Sequence, residues 1–121
     1  MNQKHALIVE DEVYLTEIFS RVLDMANFQT DIVLSGDTAS QQLTATIPDL
    51  VVLDLHLPRV SGQAILHQIR TDRRLDNTKI IIVSADIVTA KALDHQADAV
   101  LFKPIGIHEL LDVVIDIFPA D

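Results

Sequence analysis

No cysteine occurs among the 121 residues of the chain. Its absence removes disulfides, thiolate catalysis and cysteine-based zinc sites, and it favours a reducing compartment, with the cytoplasm as the default. Long apolar runs are also missing, and none approaches the roughly 20 apolar residues that span a bilayer. The opening Met1-Asn2-Gln3-Lys4-His5 meets acid at Glu10 before the apolar region of a secretory leader could form. Basic residues are scarce: 9 Lys and Arg stand against 18 Asp and Glu, a formal net charge of −9. Such a surface repels a phosphate backbone and argues against direct contact with nucleic acid. No internal repeat or low-complexity linker divides the chain, and its length fits one domain, residues 1–121, around one core.

What the chain does contain is a set of short apolar runs that end in reactive groups. Leu50-Val51-Val52-Leu53 closes on Asp54, Leu7-Ile8-Val9 leads into Glu10-Asp11-Glu12, Ile80-Ile81-Ile82-Val83 into Ser84, and Val100-Leu101-Phe102 into Lys103-Pro104. Near-continuous apolar stretches of this length are what parallel strands, covered on both faces, require. If they are parallel, all of these groups collect at the carboxyl edge of one sheet, where open α/β sheets place their sites.

Helix-like and strand-like segments alternate throughout. Leu15, Ile18, Phe19, Val22, Leu23 and Ala26 follow helical spacing, with Asn27 as a left-handed stop. Phe28 to Leu34 reads as a second strand, and Ser35-Gly36-Asp37 as a turn and cap before a polar helix that turns Ala39, Leu43 and Ile47 inward until Pro48 ends it. A loop from Pro58 to Gly62 precedes a helix starting near Ser61 with Ile65, Leu66 and Ile69 on one face. A short helix is expected around Val88 to His95, a fifth strand over Ala99 to Phe102, and a last helix burying Leu110, Leu111, Val114 and Ile117. Right-handed crossovers between such units predict a flavodoxin-like, doubly wound five-stranded parallel sheet of order 2-1-3-4-5 with helices on both faces.

The chemistry at the shared edge follows from the residue types. Glu10 and Asp11 precede a helix and so suit its positive end. Asp54 has no helix end to cap, because the next helix starts several residues on. Two carboxylates about 5 Å apart repel by roughly 3 kcal/mol at an effective dielectric near 20, and a cation relieves this. A few hard oxygen ligands with room for water suit Mg²⁺, which commonly joins carboxylates to a phosphate. Ser84 can donate to a phosphoryl oxygen, and Lys103 can neutralise one. The ensemble points to phosphoryl transfer.

Taken in order, Glu10-Asp11, Asp54, the Pro58 and Gly62 loop, Ser84 and Lys103-Pro104 resemble, over nearly the whole chain, the receiver domain of two-component response regulators. The resemblance implies that Asp54 accepts a phosphoryl group from a phosphohistidine on a sensor histidine kinase or phosphotransfer protein. It implies Mg²⁺ held by Asp11, Asp54 and the backbone carbonyl of His56, with Glu10 acting mainly through metal-bound water. Ser84 and Lys103 would contact the phosphoryl oxygens, and a cis Lys103–Pro104 peptide bond would aim the lysine. On this reading the protein is not a conventional enzyme, although it assists its own phosphorylation and dephosphorylation. The last helix is expected to end near Phe118, leaving Pro119-Ala120-Asp121, so output passes to a downstream protein target or an output domain absent from this chain.

Three departures from the family pattern concern signalling. Val100 stands where an aromatic residue usually rotates on activation. The interval from Ser84 to Lys103 is shorter than usual by roughly one helical turn, about 3.6 residues, and Gln96 replaces a common glycine. His56 and Asp86 occupy positions that influence phosphoryl lifetime in the family. Other readings are weaker. The histidines are too scattered for a metal cluster, and a haloacid-dehalogenase-like phosphatase would carry an Asp where His56 stands. The stronger rival is a pseudo-receiver, a constitutive protein-binding module without regulated phosphorylation.

Overall fold

A computed structural model describes residues 3–119. The opening Met1-Asn2 and the closing Ala120-Asp121, read above as a leaderless start and part of a short tail, lie outside the described residues. Strands β1 (Lys4–Val9), β2 (Phe28–Val33), β3 (Leu50–Asp54), β4 (Lys79–Ser84) and β5 (Ala99–Phe102) alternate with helices α1 (Val13–Met25), α2 (Gly36–Ala45), α3 (Gly62–Thr71), α4 (Ile87–Leu93) and α5 (Ile107–Ile117). Every strand pair is parallel, and the sheet order is β2-β1-β3-β4-β5. The expected flavodoxin-like winding is therefore the observed one.

Alternation along each strand feeds two cores. Leu7, Val51, Leu53, Ile80 and Ile82 pack with Leu43, Ile65, Leu66, Ile69 and Leu93, whereas Ala6, Ile8, Val52, Ile81 and Val83 pack with Phe19, Val22, Leu23, Leu110 and Val114. The central β3 is buried over its whole length, which explains why its sequence shows no polar alternation. Its one charged residue, Asp54, is tolerated because it sits at the end of the strand.

Several details differ from the sequence reading. Ile47 does not turn inward: α2 stops at Ala45, Thr46 goes extended, and Ile47 is 60% exposed. The residue before a proline disfavours helical geometry, so Pro48 acts upstream of its own position. Strand β2 ends at Val33 and leaves Leu34 exposed. The helix expected over Val88 to His95 starts at Ile87, ends as α-helix at Leu93 and tightens into a 3₁₀ turn over Asp94–Gln96. In α5, Leu110 and Val114 are buried, but Leu111 and Ile117 are only half-buried. Asn27 does stop α1 in the left-handed region, at φ 65°.

The amino ends of β4 and β5 are pinned by one guanidinium. Arg70, near the end of α3, donates to the carbonyls of Gln96 (2.7 Å) and Thr78 (3.0 Å) and to Asp98 Oδ2 (3.2 Å). The same Asp98 oxygen accepts from the Ile80 amide at 2.8 Å. Opposite this edge, the carboxyl ends of β1, β3, β4 and β5 meet around Lys103, whose ammonium bridges Glu10 and Asp54.

Candidate functional site

Asp54 is the centre of that carboxyl edge. It is 3% exposed, its Oδ1 accepts from the His56 amide at 3.0 Å, and its Oδ2 accepts from Lys103 Nζ at 3.2 Å. Glu10 lies just past β1, where its amide donates to the Val33 carbonyl and extends the strand pairing. Its side chain is 1% exposed, with Oε2 accepting from the Glu12 amide at 3.1 Å. Asp11 is exposed, and one carboxylate oxygen from each of Glu10, Asp11 and Asp54 lies within 4.8 Å of the others. Neither Glu10 nor Asp11 serves as the cap of α1, since the N-cap position is Glu12 and makes no side-chain capping bond.

Lys103 enters from beyond β5. Its amide donates to the Ser84 carbonyl at 2.9 Å, which carries the strand pairing one residue further, and the Lys103–Pro104 bond is cis as expected. The ammonium stands 3.0 Å from Glu10 Oε1, 3.2 Å from Asp54 Oδ2 and 3.5 Å from Glu12 Oε1. Sequence reading placed Glu12 in the acidic run but assigned it no partner. Its contact with Lys103 joins residues far apart in the chain, and no local pattern could signal it.

Burial dominates the electrostatics. It pushes the Glu10 carboxyl up to about 7, against the Glu12 amide and Lys103, which both favour the charged form. Burial opposes the Lys103 ammonium, but the close contact with the Glu10 carboxylate and the charges of Asp54 and Glu10 outweigh it and raise its pKa. Glu10 Oε1 is paired in charge with Lys103 but has no partner of hydrogen-bond geometry. A buried oxygen left in this state is costly and normally has an unmet partner.

Ser84 is fully buried at the end of β4, and its Oγ accepts from the Asp86 amide at 2.9 Å. Asp86 in turn caps α4, accepting from the Thr89 amide (3.1 Å) and hydroxyl (2.7 Å), and these bonds hold its carboxyl below the usual range. Its Oδ2 lies 3.7 Å from His56 Nε2. The structure thus brings together Glu10, Asp11, Asp54, His56, Ser84 and Lys103 from the ends of four strands, β1, β3, β4 and β5, at one sheet edge. Of the sequence departures, Val100 is half-buried against the α2, α3 and α4 core and has no ring to swing.

Residues 6–115 match the family model described as the response regulator receiver domain. The chain belongs to that family. This receiver domain is 37% identical over 108 residues to the response regulator ArlR of Staphylococcus saprophyticus, covering 87% of this chain and 48% of the relative. It therefore spans about half the length of the curated relatives it matches. A CheY-like receiver domain from Methylobacillus flagellatus superposes with a TM-score of 0.84 at 34% identity, covering 96% of this chain and 99% of that one. The response regulator TrrA from Thermotoga maritima, solved in complex with Mg²⁺-BeF, gives a TM-score of 0.84 at 27% identity, with 95% and 99% covered. Among the described residues no helix is long and apolar enough to cross a membrane.

Proposed function

We propose that this receiver domain takes a phosphoryl group onto Asp54 from a phosphohistidine of a sensor histidine kinase or phosphotransfer protein. In the step, an Asp54 carboxylate oxygen attacks phosphorus, the P–N bond breaks, and the released imidazole takes a proton from solvent. The observation that carries this reading is the state of Asp54: a buried carboxylate, hydrogen-bonded by Lys103 and crowded by two further acids. Crowding of this kind favours cation binding, and the cation together with Lys103 would offset the negative charge that the acyl phosphate adds.

The residues fit Mg²⁺. Three convergent carboxylates offer hard oxygen donors, and the unpartnered Glu10 Oε1 supplies the vacant acceptor that a metal-bound water would satisfy. Asp11, Asp54 and the His56 carbonyl would hold the ion, with Glu10 behind it. When bound, the ion would supply positive charge against the phosphoryl oxygens. Lys103 serves the same end from the other side. To reach a phosphoryl oxygen it would give up one of its carboxylate contacts. Ser84 has its oxygen fixed by the Asp86 amide at 2.9 Å and donates to the Asp86 carbonyl only at 3.4 Å, a long bond that it can exchange for one to a phosphoryl oxygen. The domain lends these groups to its own phosphorylation and dephosphorylation and is not a conventional enzyme.

Exposed apolar residues surround the site. Val13 and Tyr14 open α1, Ile87 and Val88 open α4, and Ile107 opens α5, all at the edge that carries Asp54. They suit docking of a phosphodonor protein and of a downstream target, or of an output domain absent from this chain, in the cytoplasm. Incubation with Mg²⁺ and acetyl phosphate, followed by peptide mass spectrometry, tests the proposal. A mass increase at Asp54 supports it, while rapid donor turnover would indicate a phosphatase and no reaction a pseudo-receiver.

A further inference from the structure

We infer that Gly36, at the start of α2, is a positioning residue for the cation-binding loop. The inference rests on the reading that His56 offers its carbonyl to Mg²⁺. The loop over residues 55–61 carries that carbonyl, and two glycines hold it, Gly62 where its ends close and Gly36 against its middle. Where the ends close, the Gly62 amide donates to the Leu55 carbonyl at 3.0 Å, and a Cβ on Gly62 would lie 2.1 Å from the Asp54 carbonyl oxygen. At the middle, the Gly36 amide donates to the Pro58 carbonyl at 3.3 Å, and a Cβ on Gly36 would lie 1.8 Å from the Val60 carbonyl oxygen. Both obstacles are backbone, which cannot swing aside as a side chain can.

Gly36 does not need its freedom for α2 itself, since no glycine in the chain has positive φ. What it provides is close approach: Val60 lies directly against its Cα, and the side chains of Leu57 and Val60 pack on the core beside it. Between them Arg59 is forced into the left-handed region at φ 72°, where a non-glycine residue is strained. The Arg59 guanidinium reaches back only to Asp37 Oδ2 at 3.9 Å, an exposed pair too weak to hold the loop. The backbone seat on Gly36 therefore holds it, and α2 becomes a support for a metal ligand to which it contributes no atom.

The loss of a group that orients a metal ligand typically weakens metal binding by about 10- to 100-fold. Backbone amide NMR during titration with MgCl₂ tests the inference. In the unaltered protein the amides of Gly36 and Asp37 should shift with the same midpoint as those of Asp11 and His56. Gly36→Ala should raise the Mg²⁺ dissociation constant about tenfold or more. Gly106→Ala is the control, because a Cβ there meets nothing within 4 Å, and it should leave Mg²⁺ affinity unchanged. A Gly36→Ala variant that is less stable yet binds Mg²⁺ as the parent does would overturn the inference. So would a parent titration in which His56 shifts while Gly36 and Asp37 stay still, a result that decides the matter even if the variant does not fold. A titration that moves no amide at all would instead overturn the metal reading beneath it.

Discussion

Lys103 and Asp54 lie 49 residues apart in the chain, yet Nζ and Oδ2 meet at 3.2 Å. One ammonium thereby sets positive charge against Asp54 and Glu10 at once. The same contact bears on the proposed phosphorylation and on the stability of the resting protein.

Asp54→Asn should abolish labelling by acetyl phosphate and leave the fold intact, because the amide is isosteric and still able to accept from the His56 amide. Mass spectrometry and circular dichroism check the two halves. Labelling that persists would move the phosphorylated residue elsewhere.

Lys103→Met should destabilise the protein in EDTA by roughly 1–3 kcal/mol, the usual cost of stranding a buried acceptor. Millimolar Mg²⁺ should restore much of the loss by supplying positive charge to the same acids. Urea denaturation with and without the ion measures both. An unchanged midpoint in EDTA would show that the ammonium contributes no net neutralisation.

The Glu10 carboxyl, raised from 4.5 to about 7, fixes the sign of a pH effect. Between those values the folded state holds a proton that the unfolded chain has lost, so stability is greatest near pH 4.5 and falls as pH rises through 7. At 1.36 kcal/mol per unit the loss is at most about 3 kcal/mol. Unfolding in EDTA at pH 5 and pH 8 should show the decline, and Glu10→Gln should flatten it. A profile that rises over this window would contradict the burial of an uncompensated acid.

Beryllofluoride bound at Asp54 should change hydrogen exchange between Asp86 and Val100. Helix α4 has only seven residues, short enough to depend on its packing and its Asp86 cap. Ser84, whose Oγ holds the Asp86 amide, connects the phosphoryl position to that cap. Unchanged protection there, with the mimic bound, would favour the constitutive docking module.

The carboxyl-edge chemistry was readable because each reactive group directly follows an apolar run, so strand ends and site residues coincide. Asp54, Ser84 and Phe102-Lys103 fall where periodicity and polarity change together. Ile47 was misjudged because apolar spacing continues through Thr46 while the backbone does not, the restriction coming from Pro48. Neither the Glu12 to Lys103 contact nor the approach of Val60 to Gly36 leaves a local signature. Both depend on which loops the winding of the sheet makes neighbours, and only a three-dimensional arrangement holds that information.

The Arg70 clasp has a mechanical consequence. By tying the Thr78 and Gln96 carbonyls and the Asp98 carboxylate into one knot at the amino ends of β4 and β5, it resists sliding of those strands past each other. A pull applied to Ser84 or Lys103 cannot be relaxed along the strand axes. The sheet would then act as a plank clamped at one end, and displacement at the other would pass sideways into the short helix between β4 and β5.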